Sequence, residues 1–261
     1  MNEKVKENLK MFYEEEARRL SSHQALMYLK GDKHELWWHR KRLRYILSFL
    51  CEIFGQSRII TFVDAGCAEG YYVKIVAEAQ KETFCVGVDI ARTYVEKAKK
   101  ICNLLNVDYV VCDIENLPFK TESIDVVLCS EVLEHVFNYQ NAIFELFRIS
   151  GKYFVASFPG HTCAYGFIRK IKPLKRFSEK MAADVGHVSE VKIEDLQKAC
   201  EGASFKVKIG GSLPLQLVKL IPSIRLVEVI DEIICRVLIR FNMLEYVTIH
   251  VVKVTKKQLN F

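Results

Sequence analysis

The feature that most restricts this chain is an alternation running from residue 59 to residue 158. Short apolar, β-branched runs occur at Ile59–Ala65, Phe84–Asp89, Tyr109–Cys112, Ile124–Ser130 and Tyr153–Phe158. Segments with helical spacing separate them, at about 69–81, 93–105 and 138–150. Continuously apolar strands that alternate with helices imply a parallel sheet covered on both faces, an α/β architecture. A helix near 193–202, a strand near 205–210, an apolar helix near 222–241 and a strand at Tyr246–Thr255 continue the pattern. The first fifty residues read instead as helices, ENLKMFYEEEARRL and HELWWHRKRLRYILSFL, punctuated by Gly31 and Asp32. The expected organisation is a helical segment over 1–50 and a sheet domain over 51–261, with an excursion at about 160–190 that carries no clear strand.

The first strand runs into the turn Asp64-Ala65-Gly66-Cys67-Ala68-Glu69-Gly70 and then into a helix. In open α/β sheets a ligand sits at the carboxyl ends of the strands, where the strand order reverses. The dinucleotide fingerprint Gly-x-Gly-x-x-Gly fails here, because Ala68 and Tyr71 stand at the second and third glycine positions counted from Gly66. The Gly-Lys-Ser/Thr triplet of a phosphate-binding P-loop is absent as well. A second strand ends in Asp89, and an acidic side chain there can accept hydrogen bonds from both hydroxyls of a ribose.

Taken in order, these segments resemble the class I S-adenosylmethionine-dependent methyltransferases, in the broad group that includes type 11 and ubiquinone-pathway enzymes. The acidic-x-Gly-x-Gly-x-Gly motif matches at Asp64, Gly66 and Gly70, with Ala68 in place of the middle glycine. VGVDIA, VCDIENLPF, SIDVVLCSEVLEHV and GHVSEVKIEDLQKACEGASF follow where the family's later motifs stand. The resemblance covers about residues 55–255. It implies a Rossmann-like sheet of seven mostly parallel strands with the last antiparallel, and S-adenosylmethionine as cofactor. It places Asp64 and the turn at Gly66, Cys67, Ala68 and Gly70 at the methionine end. Asp89 and Ile90 fall at the ribose, Asp113 and Ile114 at the adenine, and Ser130 at the end of strand four.

Methyl transfer needs a nucleophile held about 3–3.5 Å from the sulfonium methyl and a group to take its proton. The stretch after strand four, Glu131-Val132-Leu133-Glu134-His135, admits two readings. In one it is a helix start whose acids favour the dipole. In the other, Glu131, Glu134 and His135, with His187, hold a divalent ion such as Mg2+, as in the motif of small-RNA 2′-O-methyltransferases that it resembles. Without metal, His135 is the first candidate base, with His187 or His161 next and Glu131 beside it. The helical segment 1–50 resembles the N-terminal lid that many small-molecule methyltransferases carry, and its Tyr13, Trp37 and Trp38 either close over the site or pack the helices.

The balance of charge is +6, with basic clusters at His39–Arg44 and Arg169–Arg176. The cluster in the 160–190 excursion suits an acidic acceptor, such as a uronic acid or a phosphorylated lipid precursor. Nine cysteines without a Cys-x-x-Cys pair read as thiols in a reducing, cytoplasmic setting. The charged N-terminal stretch lacks the apolar core of a secretory signal, and no apolar run reaches the roughly 18 residues of a membrane span. The segment LPLQLVKLIPSIRLVEVIDEIICRVLIRF packs on the sheet, forms a homodimer face or touches lipid. The leading expectation is O-methylation of a small-molecule, glycan or lipid-linked acceptor. An RNA methyltransferase is the alternative, although no RNA-binding module is visible and Ser157-Phe158-Pro159-Gly160 replaces the tetrapeptide of base-methylating enzymes. The non-enzyme alternative is a cofactor-binding regulatory subunit.

Overall fold

A computed structural model describes residues 2–19, 33–160, 188–212, 218, 220–241 and 249–256. The excursion with its basic cluster, and with it His161 and His187, lies outside the described residues. Helices α1 (Asn2–Arg19) and α2 (Lys33–Gln56) precede β1 (Thr61–Ala65), α3 (Tyr71–Ala79), β2 (Phe84–Asp89), α4 (Arg92–Ile101) and β3 (Val107–Val111). Then follow β4 (Ile124–Ser130), a 3-10 turn at Leu133–His135, α5 (Tyr139–Ile149) and β5 (Ser150–Phe158). The chain closes with α6 (Ile193–Ala199), β6 (Ser204–Gly210), α7 (Ile224–Arg240) and β7 (Ile249–Thr255).

The strands form one sheet in the order β3-β2-β1-β4-β5-β7-β6. The first five are parallel, and β7 runs antiparallel between β5 and β6. This is the seven-stranded arrangement that the resemblance implies. The central strands are apolar on both faces because each face is covered. One layer holds Leu146, Ile149 and Leu196 of α5 and α6. The other holds Phe49, Ile53, Tyr72 and Val95 of α2, α3 and α4. Burial of each such side chain contributes about 2 kcal/mol. Helix α2 extends past residue 50, and its second half, with Ile46, Phe49, Leu50 and Ile53, belongs to the sheet's packing.

The strand order reverses between β1 and β4, so their carboxyl ends diverge and leave a crevice. Helix α1 lies across that crevice. Glu14 accepts the backbone N–H groups of Arg92 and Thr93 at 2.6 and 3.2 Å, and so caps the N-terminus of α4 from a distant helix. Lys97 of α4 donates to the carbonyl of Ala17. Lys6 spans Asp113 at 3.1 Å and Glu115 at 2.6 Å.

Candidate active site

The turn after β1 is built on unusual backbone. Gly66 and Gly70 have φ of 79° and 77°, in the left-handed region. A Cβ on Gly66 would also stand 2.3 Å from a methyl of Val132, and one on Gly70 would stand 2.6 Å from the Tyr109 hydroxyl. Ala68, where the motif has its middle glycine, adopts φ of 44°. That conformation costs a non-glycine residue roughly 1 kcal/mol. Ala68→Gly is therefore expected to leave the unfolding midpoint level or raise it by up to about 3 °C, measured by calorimetry, although glycine frees the unfolded chain.

Asp89, at the end of β2, is almost fully buried and holds the turn in place. Its two oxygens accept the N–H groups of Ala68 and Ala91, each at 2.9 Å. Burial raises its pKa to about 6, against the lowering effect of those N–H donors. Asp64 is buried beside it, and one of its oxygens has no hydrogen-bond partner. Burial first, and the nearby Asp89 second, raise the pKa of Asp64 to about 8. The pair is thus a concealed acidic centre that a cation or a hydrogen-bond donor would satisfy.

Asp89 and the turn open onto a cavity of about 580 Å³ at the carboxyl ends of the strands. Gly66, Ala68, Asp89, Ile90, Asp113, Ile114 and Ser130 line it, so the structure brings together most of the residues expected at a nucleoside. Cys67 does not reach it: its thiol packs in the apolar layer, near Gly87, and burial drives its pKa up. Asp64 and Gly70 stand behind the turn. Asp113 accepts the N–H of Glu115 with one oxygen and Lys6 with the other.

The far wall of the cavity holds Tyr13, Trp38, Arg42, Glu131, Glu134 and His135. Arg42 is buried, pairs with Glu131 at 2.7 Å and lies over the Trp38 ring at 5.0 Å. Glu131 has φ of 55°, accepts the Ser157 hydroxyl at 3.0 Å and donates its N–H to the Ser157 carbonyl at 2.9 Å. A non-glycine residue in that region marks a place where the fold enforces geometry. Glu134 is fully buried, with one oxygen lacking a hydrogen-bond partner, and burial, then the nearby Glu131, push its pKa well up. His135 meets the Tyr13 ring edge-on, 5.7 Å between centroids, and its Nε2 is 4.0 Å from Glu134.

This arrangement does not fit the expected magnesium site. The Glu131 carboxylate is taken by a guanidinium, whose charge would repel a dication. No group of three or more histidine, cysteine, aspartate or glutamate side chains that could hold a metal occurs among the described residues. The cavity is nonetheless acidic: Glu16, Asp89, Asp113, Glu115, Glu131 and Glu134 line it against the cations Lys6 and Arg42. Lys6, Glu14 and Arg42 are the contributors that sequence reading missed. Their partners lie far away in the chain, so no local spacing announces them.

Lys6→Ala is expected to loosen α1 locally. The ion pair is partly exposed and contributes about 1 kcal/mol or less. Hydrogen exchange across residues 2–19 should quicken severalfold, with the unfolding midpoint moving by less than about 3 °C.

Residues 63–153 match a family described as a methyltransferase domain. The chain is 31% identical over 121 residues to a ubiquinone biosynthesis O-methyltransferase of Bartonella quintana, covering 38% of this chain and 48% of that protein. It is 27% identical over 109 residues to a malonyl-[acyl-carrier protein] O-methyltransferase of Bacillus cereus, covering 42% of this chain and 40% of that one. The chain spans about half the length, or less, of the curated relatives that it matches. The solved magnesium protoporphyrin IX methyltransferase of Synechocystis superposes with a TM-score of 0.64 at 14% identity, covering 97% of this chain and 100% of that one. That likeness shows the fold.

Proposed function

We propose, from the methyltransferase-domain match over residues 63–153, that the chain is a class I S-adenosylmethionine-dependent methyltransferase that methylates a small or lipid-linked acceptor, most simply at oxygen. The observation that carries the reading is the buried Asp64–Asp89 pair behind a glycine-bearing turn that opens onto the cavity. S-adenosylmethionine has a ribose, an ammonium and a sulfonium, but no phosphate. Its hydroxyls and cations suit a site built from carboxylates and exposed N–H groups. Asp89 would take the ribose hydroxyls, with Ile90 beside it. Asp113 and Ile114 would flank the adenine once Lys6 yields its place. Asp64 and the turn at Gly66 would hold the methionine end.

When bound, the cofactor supplies an electrophilic methyl group on a sulfonium, which leaves as a neutral thioether. The chain's own work is to hold the acceptor in line, exclude water and take a proton. Helix α1 and Trp38 cover the cavity and exclude water. His135, on the cavity lining, would take the acceptor proton, and Glu134, 4.0 Å from its Nε2, would give up its own proton to face the resulting imidazolium as a carboxylate. The carboxylate-rich lining favours a neutral or cationic acceptor over an acidic one, and it opposes a nucleic-acid phosphate backbone. An acidic acceptor would have to draw on the basic cluster outside the described residues.

The test is conversion of S-adenosylmethionine to S-adenosylhomocysteine in the presence of hydroxylated aromatic, glycan and lipid acceptors, with and without RNase and chelator. Turnover that survives both treatments and disappears in Asp89→Ala supports the reading. Turnover abolished by RNase would transfer it to RNA, and no turnover with any acceptor would favour a regulatory subunit.

A further inference from the structure

Helix α7 carries one buried row of side chains and one exposed apolar row. Val227, Asp231 and Cys235, at steps of four, are buried, and Leu238 completes that side. Leu226, Val229, Ile233, Val237 and Phe241, at steps of three and four, are between 48% and 67% exposed. The helical repeat sets the centres of these two rows roughly 140° apart around the axis. Among the described residues, no other helix or strand exposes more than two large apolar side chains. Arg225, Arg236 and Arg240 border the exposed row. Of the nearby acids, Glu228 is engaged by Arg44 at 2.8 Å, and Glu232 pairs with Arg236 itself at 3.4 Å, so the net positive charge of the border comes from Arg225 and Arg240.

We propose that α7 is a peripheral docking element for an anionic lipid surface. The exposed row enters the interface between headgroups and acyl chains, and the bordering arginines meet the anionic headgroups. The helix lies in the plane of the surface: no helix among the described residues is long and apolar enough to cross a membrane. Two observations favour lipid over a second copy of the chain. The row of five half-exposed side chains offers only a few hundred Å², well below the roughly 800 Å² per partner of a stable dimer. The border is also basic on a chain of net charge +6, which suits an anionic surface and disfavours an identical cationic molecule.

The inner side of α7 ties the docking face to the cavity. Val227 packs on Trp37 of α2, and Asp231 accepts Lys41 of α2 and the Ser212 hydroxyl, the latter at 2.6 Å. One position further along α2, Trp38 and Arg42 line the cavity. A docked molecule therefore holds its cavity within about two helix diameters, ~20 Å, of the lipid. This assignment stands independently of the methyl-transfer reading.

The experiment is flotation with phosphatidylcholine vesicles, with and without phosphatidylglycerol. The whole chain should float at least about tenfold more with phosphatidylglycerol present, and salt should reverse the binding. Ile233→Asp and the double change Arg236→Glu with Arg240→Glu should each remove most of it, with unaltered circular dichroism. Both variants alter exposed positions away from the cavity, so at least one should fold. Failure to float, or flotation unchanged in both variants, overturns the proposal. So does a dimer in sedimentation velocity that Ile233→Asp dissolves while no vesicle binding is seen.

Discussion

Asp89→Ala weakens the binding of S-adenosylmethionine by at least about 100-fold, measured by calorimetric titration. In the proposed reading the change removes two hydrogen bonds that ribose hydroxyls would donate to the carboxylate, each worth roughly 1.5–3 kcal/mol. It also frees the N–H groups of Ala68 and Ala91, which Asp89 holds in the turn. Affinity in the unaltered protein should weaken as pH falls below about 6, where Asp89 takes a proton and loses acceptor capacity. The weakening should approach about tenfold per pH unit, the signature of one proton.

The second large effect belongs to Asp64. Its pKa in the fold is about 8, above that of an unfolded aspartate. Between the two values the folded chain binds a proton that the unfolded chain has lost. Stability from this group therefore falls as pH rises through that window, and the full cost is present above the folded value. Asp64→Asn removes the cost. The unliganded variant should melt about 5 °C or more above the parent at pH 8, and close to it near pH 4. The ligand reverses the sign. A cationic ligand beside Asp64 stabilises the carboxylate, so binding near pH 7 should release close to one proton, read from titrations in buffers of different ionisation enthalpy. Asp64→Asn should abolish that release and weaken binding by roughly tenfold or more. A more stable protein that binds less tightly is the outcome expected when a buried charge is kept for a ligand.

The sheet was largely legible because its signals are local. Phe84–Asp89 and Ile124–Ser130 were predicted with the bounds observed for β2 and β4. The apolar run suggested Tyr153 as the start of β5, but the strand begins at Ser150 directly after α5. Ser150 and Gly151 carry no strand pattern and pair because their neighbours do. Helix α2 was read only to Leu50, whereas it continues to Gln56 because Ile53 seats on the sheet. The glycine turn and Asp89 were legible for the same reason as the strands: strand, turn and acid follow within one short stretch. The far wall was not. In the sequence Arg42 is one cation of the His39–Arg44 cluster, whereas in the fold it is buried against Glu131 and Trp38. Glu131 and Glu134 read either as acids at a helix start or as metal ligands, and the guanidinium on Glu131 opposes the second reading. Glu14 and Lys6 are exposed-looking charges on a polar helix, and only the fold shows that they cap α4 and meet Asp113.

The most direct test of the central claim is calorimetric titration of the unaltered chain with S-adenosylmethionine and with S-adenosylhomocysteine. One-to-one binding of both in the micromolar range, with proton release near pH 7 for the methylated form, is the predicted result. Absence of heat for either compound at millimolar concentration would contradict it. The buried acids would then serve a different cation, and the methyl-transfer reading would fall with them.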